Sequence, residues 1–209
     1  MFTGLITDIG KIQSVEDAKG LRRFRVQASY DPAEIETGDS VMHSGVCLTV
    51  VDYGSWEGGC WMDVEAVPET LSRSTLGDLV VGAQVNLEQS LCLGDKLGGH
   101  FVFGHVDGLG EVVAIRDEGD SHRVTVRPPE DIARYFATKG SAAIDGVSLT
   151  VALAHDNGDF DVAIIPHTWN VTTLGQLQVG SKVNLEVDML ARYVGRMIGT
   201  DMPQPEVTE

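Results

Sequence analysis

The sequence predicts an all-β protein made of two tandem copies of one small barrel or sandwich, followed by a C-terminal α-helix. Three observations predict it. The chain of 209 residues repeats itself across its midpoint. Inside each copy apolar residues alternate with a period of two, the mark of a strand with one buried face. Turn signals recur every ten residues or so, and one stretch near the C-terminus shifts instead to a helical period.

The repeat is read by sliding the chain along itself. Residues 63–88 (DVEAVPETLSRSTLGDLVVGAQVNLE) and 161–186 (DVAIIPHTWNVTTLGQLQVGSKVNLE) share 14 identities in 26 positions at an offset of 98. Upstream, 40–50 (SVMHSGVCLTV) aligns with 141–151 (SAAIDGVSLTV) at an offset of 101, and 4–10 (GLITDIG) with 104–110 (GHVDGLG) at an offset of 100. Three blocks in the same order define a unit of domain size, too long for a solenoid repeat. The seam falls near residues 97–99, giving expected domains of 1–97 and 98–187.

Within the first copy, turns are expected at Lys19-Gly20, Thr37-Gly38, Gly58-Gly59 and Val81-Gly82. In the second they are expected at Asp107-Gly108, Asn157-Gly158 and Val179-Gly180. Val46, Leu48 and Val50 face one way while Cys47 and Thr49 face the other; Val147, Leu149 and Val151 oppose Ser148 and Thr150 in the same fashion. Val85 and Leu87 alternate with Asn86 and Glu88, and Val183, Leu185 and Val187 with Asn184, Glu186 and Asp188. One short helix per copy is expected, after Asp31-Pro32 in the first and over 129–138 in the second, where Pro129 opens it and Gly140 stops it. After the second copy, apolar residues at 189, 190, 193, 194, 197 and 198 form a helical stripe with Arg192 and Arg196 off it and Asp188 placed to cap it. A helix appended to a finished barrel buries such a stripe most naturally in subunit association. Residues 200–209, rich in Pro and acid, read as a disordered tail.

Charge narrows the function. Fifteen Lys+Arg against 31 Asp+Glu leave a formal charge of -16, which repels a phosphate backbone and an anionic bilayer. Nucleic-acid and membrane partners are therefore not expected. Three cysteines, Cys47, Cys60 and Cys92, make neither a disulfide framework nor a zinc knuckle and point to a reducing compartment. The opening residues lack a basic region, and Asp8 interrupts their apolar run, so no signal peptide is expected. The expected location is the cytoplasm.

Cys47 reads either as a pocket thiol or as a core cysteine. Ser148 holds the equivalent position, so both copies place a small nucleophile-type atom at one point of the fold. His100 and His105 are five apart on an extended stretch and offer no bare metal pair; each is either a surface or hydrogen-bonded histidine or a chemical group. Glu69-Thr70 and His167-Thr168 follow Pro68 and Pro166 at the same strand exit, as turn residues or as ligand contacts at a barrel rim. Asp188 is most simply an N-cap, yet its first-copy partner is Ser90, so the fold does not require a charge there. No phosphate-cradling loop is present: the pair Gly108 and Gly110 lacks a third glycine and a following helix.

Several blocks together carry a resemblance: MFTGLI at 1–6, GVCLTV at 45–50, GGHFVFGHVD at 98–107, KGSAAIDGVSLT at 139–150 and VNLEVD at 183–188. Over about residues 1–198 the chain resembles riboflavin synthases of the two-lumazine-repeat type. The resemblance implies two Greek-key barrels, residues 188–199 as a trimerisation helix, and dismutation of two molecules of 6,7-dimethyl-8-ribityllumazine. One donates a four-carbon unit to the other, giving riboflavin and 5-amino-6-(D-ribitylamino)uracil, with no metal or redox cofactor. The duplication then acquires a purpose, since two copies of one molecule must meet face to face.

By the same resemblance, Gly4, Leu5, Ile6, Cys47, Leu48, Thr49, Glu65, Ala66, Val67, Pro68, Glu69, Thr70, Gly104, His105, Val106, Lys139, Ser148, Leu149, Thr150, Ala163, Ile164, Ile165, Pro166, His167 and Thr168 line two ligand sites. Ser40, Cys47, His105, Ser148, Thr150 and Asp188 are the implied chemical residues, with Cys47 or Ser148 on the nucleophile side, Asp188 as polariser and His105 as proton shuttle. His167 departs from the family, which usually has Glu there, and Val46 stands where some members carry a second Cys. The expected assembly is a homotrimer. Whether it docks with lumazine synthase is left open by the sequence. The rival reading is a non-catalytic lumazine or flavin carrier of the same fold. Such a carrier needs one good pocket, whereas both G-V-[CS]-L-T signatures and Asp188 are kept here.

Overall fold

In a computed structural model that describes residues 1–18 and 20–199, twelve strands close into two barrels. The expected tail, 200–209, lies outside the described residues. The first barrel holds β1 (Asp8–Ala18), β2 (Leu21–Ala28), β3 (Ser40–His43), β4 (Val46–Trp56), β5 (Gly59–Ala66) and β6 (Gln84–Gln89), with α1 (Pro68–Arg73) between the last two. The second holds β7 (Gly108–Glu118), β8 (Ser121–Arg127), α2 (Glu130–Ala133), β9 (Ser141–Ile144), β10 (Val147–Ala154), β11 (Phe160–Ile164), α3 (Pro166–Val171) and β12 (Lys182–Val187); α4 (Met189–Met197) follows.

Both rings have one topology: β1-β2-β5-β4-β3-β6 in the first, β7-β8-β11-β10-β9-β12 in the second. Consecutive β3, β4 and β5 are neighbours and β6 returns beside β3, the Greek-key pattern. Closure leaves no edge strand for another chain to pair with. Two-residue hairpins join β3 to β4 and β9 to β10 through Ser44-Gly45 and Asp145-Gly146, and all four residues have positive φ (45°, 87°, 46° and 79°). That conformation is the type I′ turn, whose twist suits a two-residue hairpin. Both barrels also bulge at matching places, between Ile12 and Ser14 and between Val112 and Ala114.

The alternation seen in the sequence is the inside and outside of the barrels. Val46, Leu48 and Val50 are buried with Phe24, Met62, Val64 and Leu87 in the first core. Val147, Leu149 and Val151 join Val124, Phe160, Val162 and Leu185 in the second. Burying each such side chain contributes roughly 1.5–3 kcal/mol, so these stripes fix strand register.

The barrels meet through a reciprocal seam. Phe2 and Val102 pair in an isolated antiparallel bridge and are buried with Met42 and Ala143. Asn86 donates its side-chain amide to the Asp145 carbonyl (2.9 Å) and accepts from Thr173 N (2.8 Å). Asn184 does the converse, donating to the Ser44 carbonyl (2.7 Å) and accepting from Thr75 N (2.8 Å). The repeated V-N-L-E asparagines therefore satisfy buried backbone groups of the opposite barrel.

The helices differ from expectation in four places. The helix expected over 129–138 covers only Glu130–Ala133, because Phe136 is pulled into the barrel mouth and stacks on Phe160 (centroids 4.3 Å apart). After Asp31 there is a single 3-10 turn, Pro32–Glu34. Conversely α1 and α3 occupy stretches read as strand exits. Each starts on Pro68 or Pro166, where the missing N–H costs nothing.

Candidate active site

Two short segments cross between the barrels and build the site. Residues 3–5 are held by the first barrel: the Glu88 carboxylate accepts from Thr3 N (2.7 Å), the Thr3 hydroxyl (2.6 Å) and Gly4 N (2.9 Å). Residues 103–105 are held by the second: Glu186 accepts from Phe103 N (2.7 Å), Gly104 N (2.8 Å) and His105 N (2.9 Å). Burial pushes the Glu88 carboxyl up, and that of Glu186 up to about 7, against these N–H groups, which favour the charged form.

Each held segment lies on the opposite barrel. Ser148 N donates to the Gly4 carbonyl (2.8 Å) and Cys47 N to the Gly104 carbonyl (2.9 Å). Both glycines have φ of 76°, and a Cβ on either would come within 2.5–2.6 Å of the Ser148 or Cys47 Cβ. Only glycine satisfies both the conformation and the approach. Gly4 thus belongs with the second barrel's Ser148, and Gly104 with the first barrel's Cys47. Ile6 packs against the second core and Val106 against the first.

Cys47 and Ser148 are half-buried on the outward faces of β4 and β10, and Thr49 and Thr150 beside them are exposed. The two sites are therefore shallow and open on a single chain, not cavities inside the barrels. Across the ladders, Ser40 pairs with Thr49 and Ser141 with Thr150. Leu48, Ala66, Leu149 and Ile164 turn into the cores, so their side chains do not line an outward face. Val67 and Ile165 are exposed at the rims, with Pro68, Glu69, Pro166 and His167 on the first turns of α1 and α3 and Thr70 and Thr168 half-buried behind them. Glu65 is engaged by Arg23 (2.6 Å) and Glu69 by Arg73 (3.4 Å). Ala163 is exposed on β11, and Lys139, with φ of 70°, donates its amide to the Val151 carbonyl.

Ser148 has a partner that the sequence reading did not select. Its hydroxyl is 2.7 Å from His100 Nδ1. Burial lowers the His100 pKa, and the nearby Asp188 charge opposes the shift. Asp188 itself accepts from Leu190 N (2.9 Å) as the cap of α4. The Ser148 hydroxyl thus meets a buried imidazole on which Asp188 acts by charge alone, since His100 Nε2 has no hydrogen-bond partner among the described residues. With its proton on Nε2, His100 can take hydrogen from Ser148. The sequence shows His100 as either a surface or hydrogen-bonded histidine or a chemical group; the close approach of Gly99, where a Cβ would sit 2.9 Å from the Ser148 hydroxyl, brings it there. His105, by contrast, lies at the surface of the chain. Its pKa is lowered by desolvation first and then by the Arg192 charge, while Asp107 opposes both.

The lumazine binding domain family matches residues 3–90 and 103–188, so fold and site together define a protein of two lumazine-binding domains. The chain is 50% identical over 200 residues to riboflavin synthase of Brucella abortus (strain 2308), covering 94% of this chain and 98% of that one. Against riboflavin synthase of Photobacterium phosphoreum it is 40% identical over 207 residues, covering 98% and 92%. The crystal structure of LumP complexed with riboflavin superposes with a TM-score of 0.78 at 25% identity, covering 90% of this chain and 99% of that chain. The chain belongs to the riboflavin synthase family.

Proposed function

We propose that the protein converts two molecules of 6,7-dimethyl-8-ribityllumazine into riboflavin and 5-amino-6-(D-ribitylamino)uracil. Two identical substrates supply every atom of both products, so a site that holds two copies of one molecule suits the reaction. The observation that carries this reading is the reciprocal pair Cys47–Gly104 and Ser148–Gly4, which gives both barrels an equivalent arrangement on the outward faces of β4 and β10. Positioning two reactants this way lowers a bimolecular barrier by about 7–11 kcal/mol in favourable cases. The remaining work is proton transfer at an acidic methyl group and addition to the ring, tasks for a general base and a small nucleophile. We assign the base to Ser148 and His100, with Asp188 favouring the charged imidazole, and the nucleophile side of the first pocket to Cys47 with Ser40.

Both pockets open outward, so the substrates meet only when a first pocket of one subunit faces a second pocket of its neighbour. We place the assembly contact on α4. Ala191 packs against the second core and Gly195 against the Tyr135 ring, which turns Leu190, Tyr193, Val194, Met197 and Ile198 away from the barrel at 56–85% exposure. A homotrimer covers that stripe. The free cysteines Cys47, Cys60 and Cys92 suit a reducing cytoplasm.

The carrier reading is favoured by the likeness to LumP, but at 25% identity or less that likeness speaks for the fold. The deciding experiment is to incubate the pure protein with the lumazine alone and follow flavin formation. Binding without turnover would leave a carrier.

A further inference from the structure

We infer that Arg192 is a positioning residue for the first pocket, tying α4 through Asp107 to the segment that carries Gly104 and His105 across to Cys47. The inference rests on the reading of that segment as part of the substrate site.

The tie is specific. Arg192 donates from Nη2 to one Asp107 carboxylate oxygen (2.7 Å), and the other accepts from Val187 N (2.8 Å), the last residue of β12. The Asp107 side chain is 5% exposed, and the Arg192 Nε is buried without a partner. Asp107 N donates to the Leu185 carbonyl (2.8 Å), so residue 107 is anchored by both backbone and side chain two positions after His105. Glu186 grips the near side of the same segment. Residues 103–107 are thus fixed between Glu186 and the Arg192–Asp107 pair, with the Gly104 carbonyl delivered to Cys47 N.

The other crossing segment lacks this link. The residue equivalent to Asp107 is Thr7, whose exposed hydroxyl meets the Tyr30 hydroxyl of its own barrel (2.7 Å). Among the described residues, the segment entering the first pocket is hydrogen-bonded to the helix that carries the exposed apolar stripe, and residues 3–7 are not. When a neighbouring subunit seats α4, the force is transmitted to Arg192, to Asp107 and to the Cys47 pocket.

His105 reports the link directly. It is faced by Arg192 and Asp107, by the N-terminal amino group and by the Phe103 ring (centroids 6.0 Å apart). Arg192 opposes its protonation and Asp107 favours it, so removing the two groups moves its titration in opposite directions. Those shifts report that both charges lie beside His105, while recovery of affinity by Arg192→Lys separates positioning from a merely structural role.

The test uses full-length Arg192→Gln, Arg192→Lys, Asp107→Asn and His105→Gln proteins. Assembly is measured by sedimentation, riboflavin affinity by titration, and His105 by NMR of the imidazole resonance missing in His105→Gln. The expected result is wild-type assembly, affinity weakened roughly fivefold or more in Arg192→Gln and Asp107→Asn, and partial recovery in Arg192→Lys. His105 should titrate at higher pH in Arg192→Gln and at lower pH in Asp107→Asn. Unchanged affinity in both variants would overturn the inference, whatever the titration shows. If Arg192→Gln alters assembly, Asp107→Asn, which lies off the helix, decides by the same two readouts. If His105→Gln binds and turns over normally, the substrate-site reading of His105 fails, while the affinities of Arg192→Gln, Arg192→Lys and Asp107→Asn still decide the positioning role.

Discussion

The Ser148 hydroxyl stands 2.7 Å from His100 Nδ1, although the histidine comes from the segment that joins the barrels and the serine from the start of β10. The pair is held by the approach of Gly99 and Gly4 to the Ser148 side chain and backbone. His100 is kept neutral by burial, and Asp188 is the charge that favours its protonated form.

Groups that act as a unit lose activity together. Ser148→Ala and His100→Gln should each lower kcat by roughly tenfold to a hundredfold, within the general-base range. The double variant should be little worse than either single one. Asp188→Asn should keep the helix cap, since Asn caps as well as Asp, yet shift His100 titration downward. Single-turnover rates at saturating lumazine measure the first effect and NMR the second; additive losses would separate Ser148 from His100.

The crossing glycines should act on the far barrel. Gly104→Ala puts a Cβ 2.6 Å from Cys47 Cβ at a φ of 76°, and Gly4→Ala does the same to Ser148. Each should destabilise the protein by about 1–3 kcal/mol. Gly104→Ala should change the reactivity of the Cys47 thiol toward an alkylating reagent. Gly4→Ala, in the first repeat, should leave that reactivity unchanged and perturb the His100 resonance instead.

Much of this was legible in the sequence because it depends on local pattern. Alternation of Val46, Cys47, Leu48, Thr49 and Val50 sets inside against outside whatever the neighbours are, and the offset of about 100 shows that the pattern recurs. The Ser148–His100 contact was not legible, since it depends on where residues 98–102 pass, and that path is set by the Phe2–Val102 bridge and the Glu186 carboxylate. Asp188 was read as capping α4 and as polarising Ser148; the capping contact is present, while the group touching Ser148 is an imidazole. The helices α1 and α3 escaped because six residues are too few for a period to declare itself. The shortened α2 shows the reverse, a helical pattern overridden by the burial of Phe136.

Truncation before α4 tests the assembly role. Leu190, Tyr193, Val194, Met197 and Ile198 are exposed together, while the second barrel's ring is closed without the helix. A chain ending at Asp188, which keeps β12 whole, should therefore stay folded and sediment as a monomer. It should also lose most of its turnover while keeping measurable riboflavin binding. Sedimentation as a trimer would remove this role from α4.

The last prediction concerns acid stability and His43. Its side chain is fully buried at the end of β3, its Nδ1 is 3.0 Å from the Val41 carbonyl, and its Nε2 has no partner. Protonation would create a buried N–H and a charge with no acceptor, and burial accordingly lowers the pKa from 6.5 to about 4. Between those values the unfolded chain binds more protons than the folded one, so stability is fully present above pH 6.5 and is lost as pH falls toward 4. The shift corresponds to a loss on the order of 3 kcal/mol. Asp145 and Glu186, raised by burial to about 7, work the other way and gain stability as pH falls below 7. The His43 contribution is therefore isolated by difference. The second repeat places Ile144 at the equivalent position, where it is buried in the same hairpin geometry, so His43→Ile is sterically suited to the site. Urea unfolding of both proteins from pH 7 to pH 4 should show the variant gaining steadily on the wild type below pH 6.5. Parallel curves over that range would show that His43 carries no acid penalty.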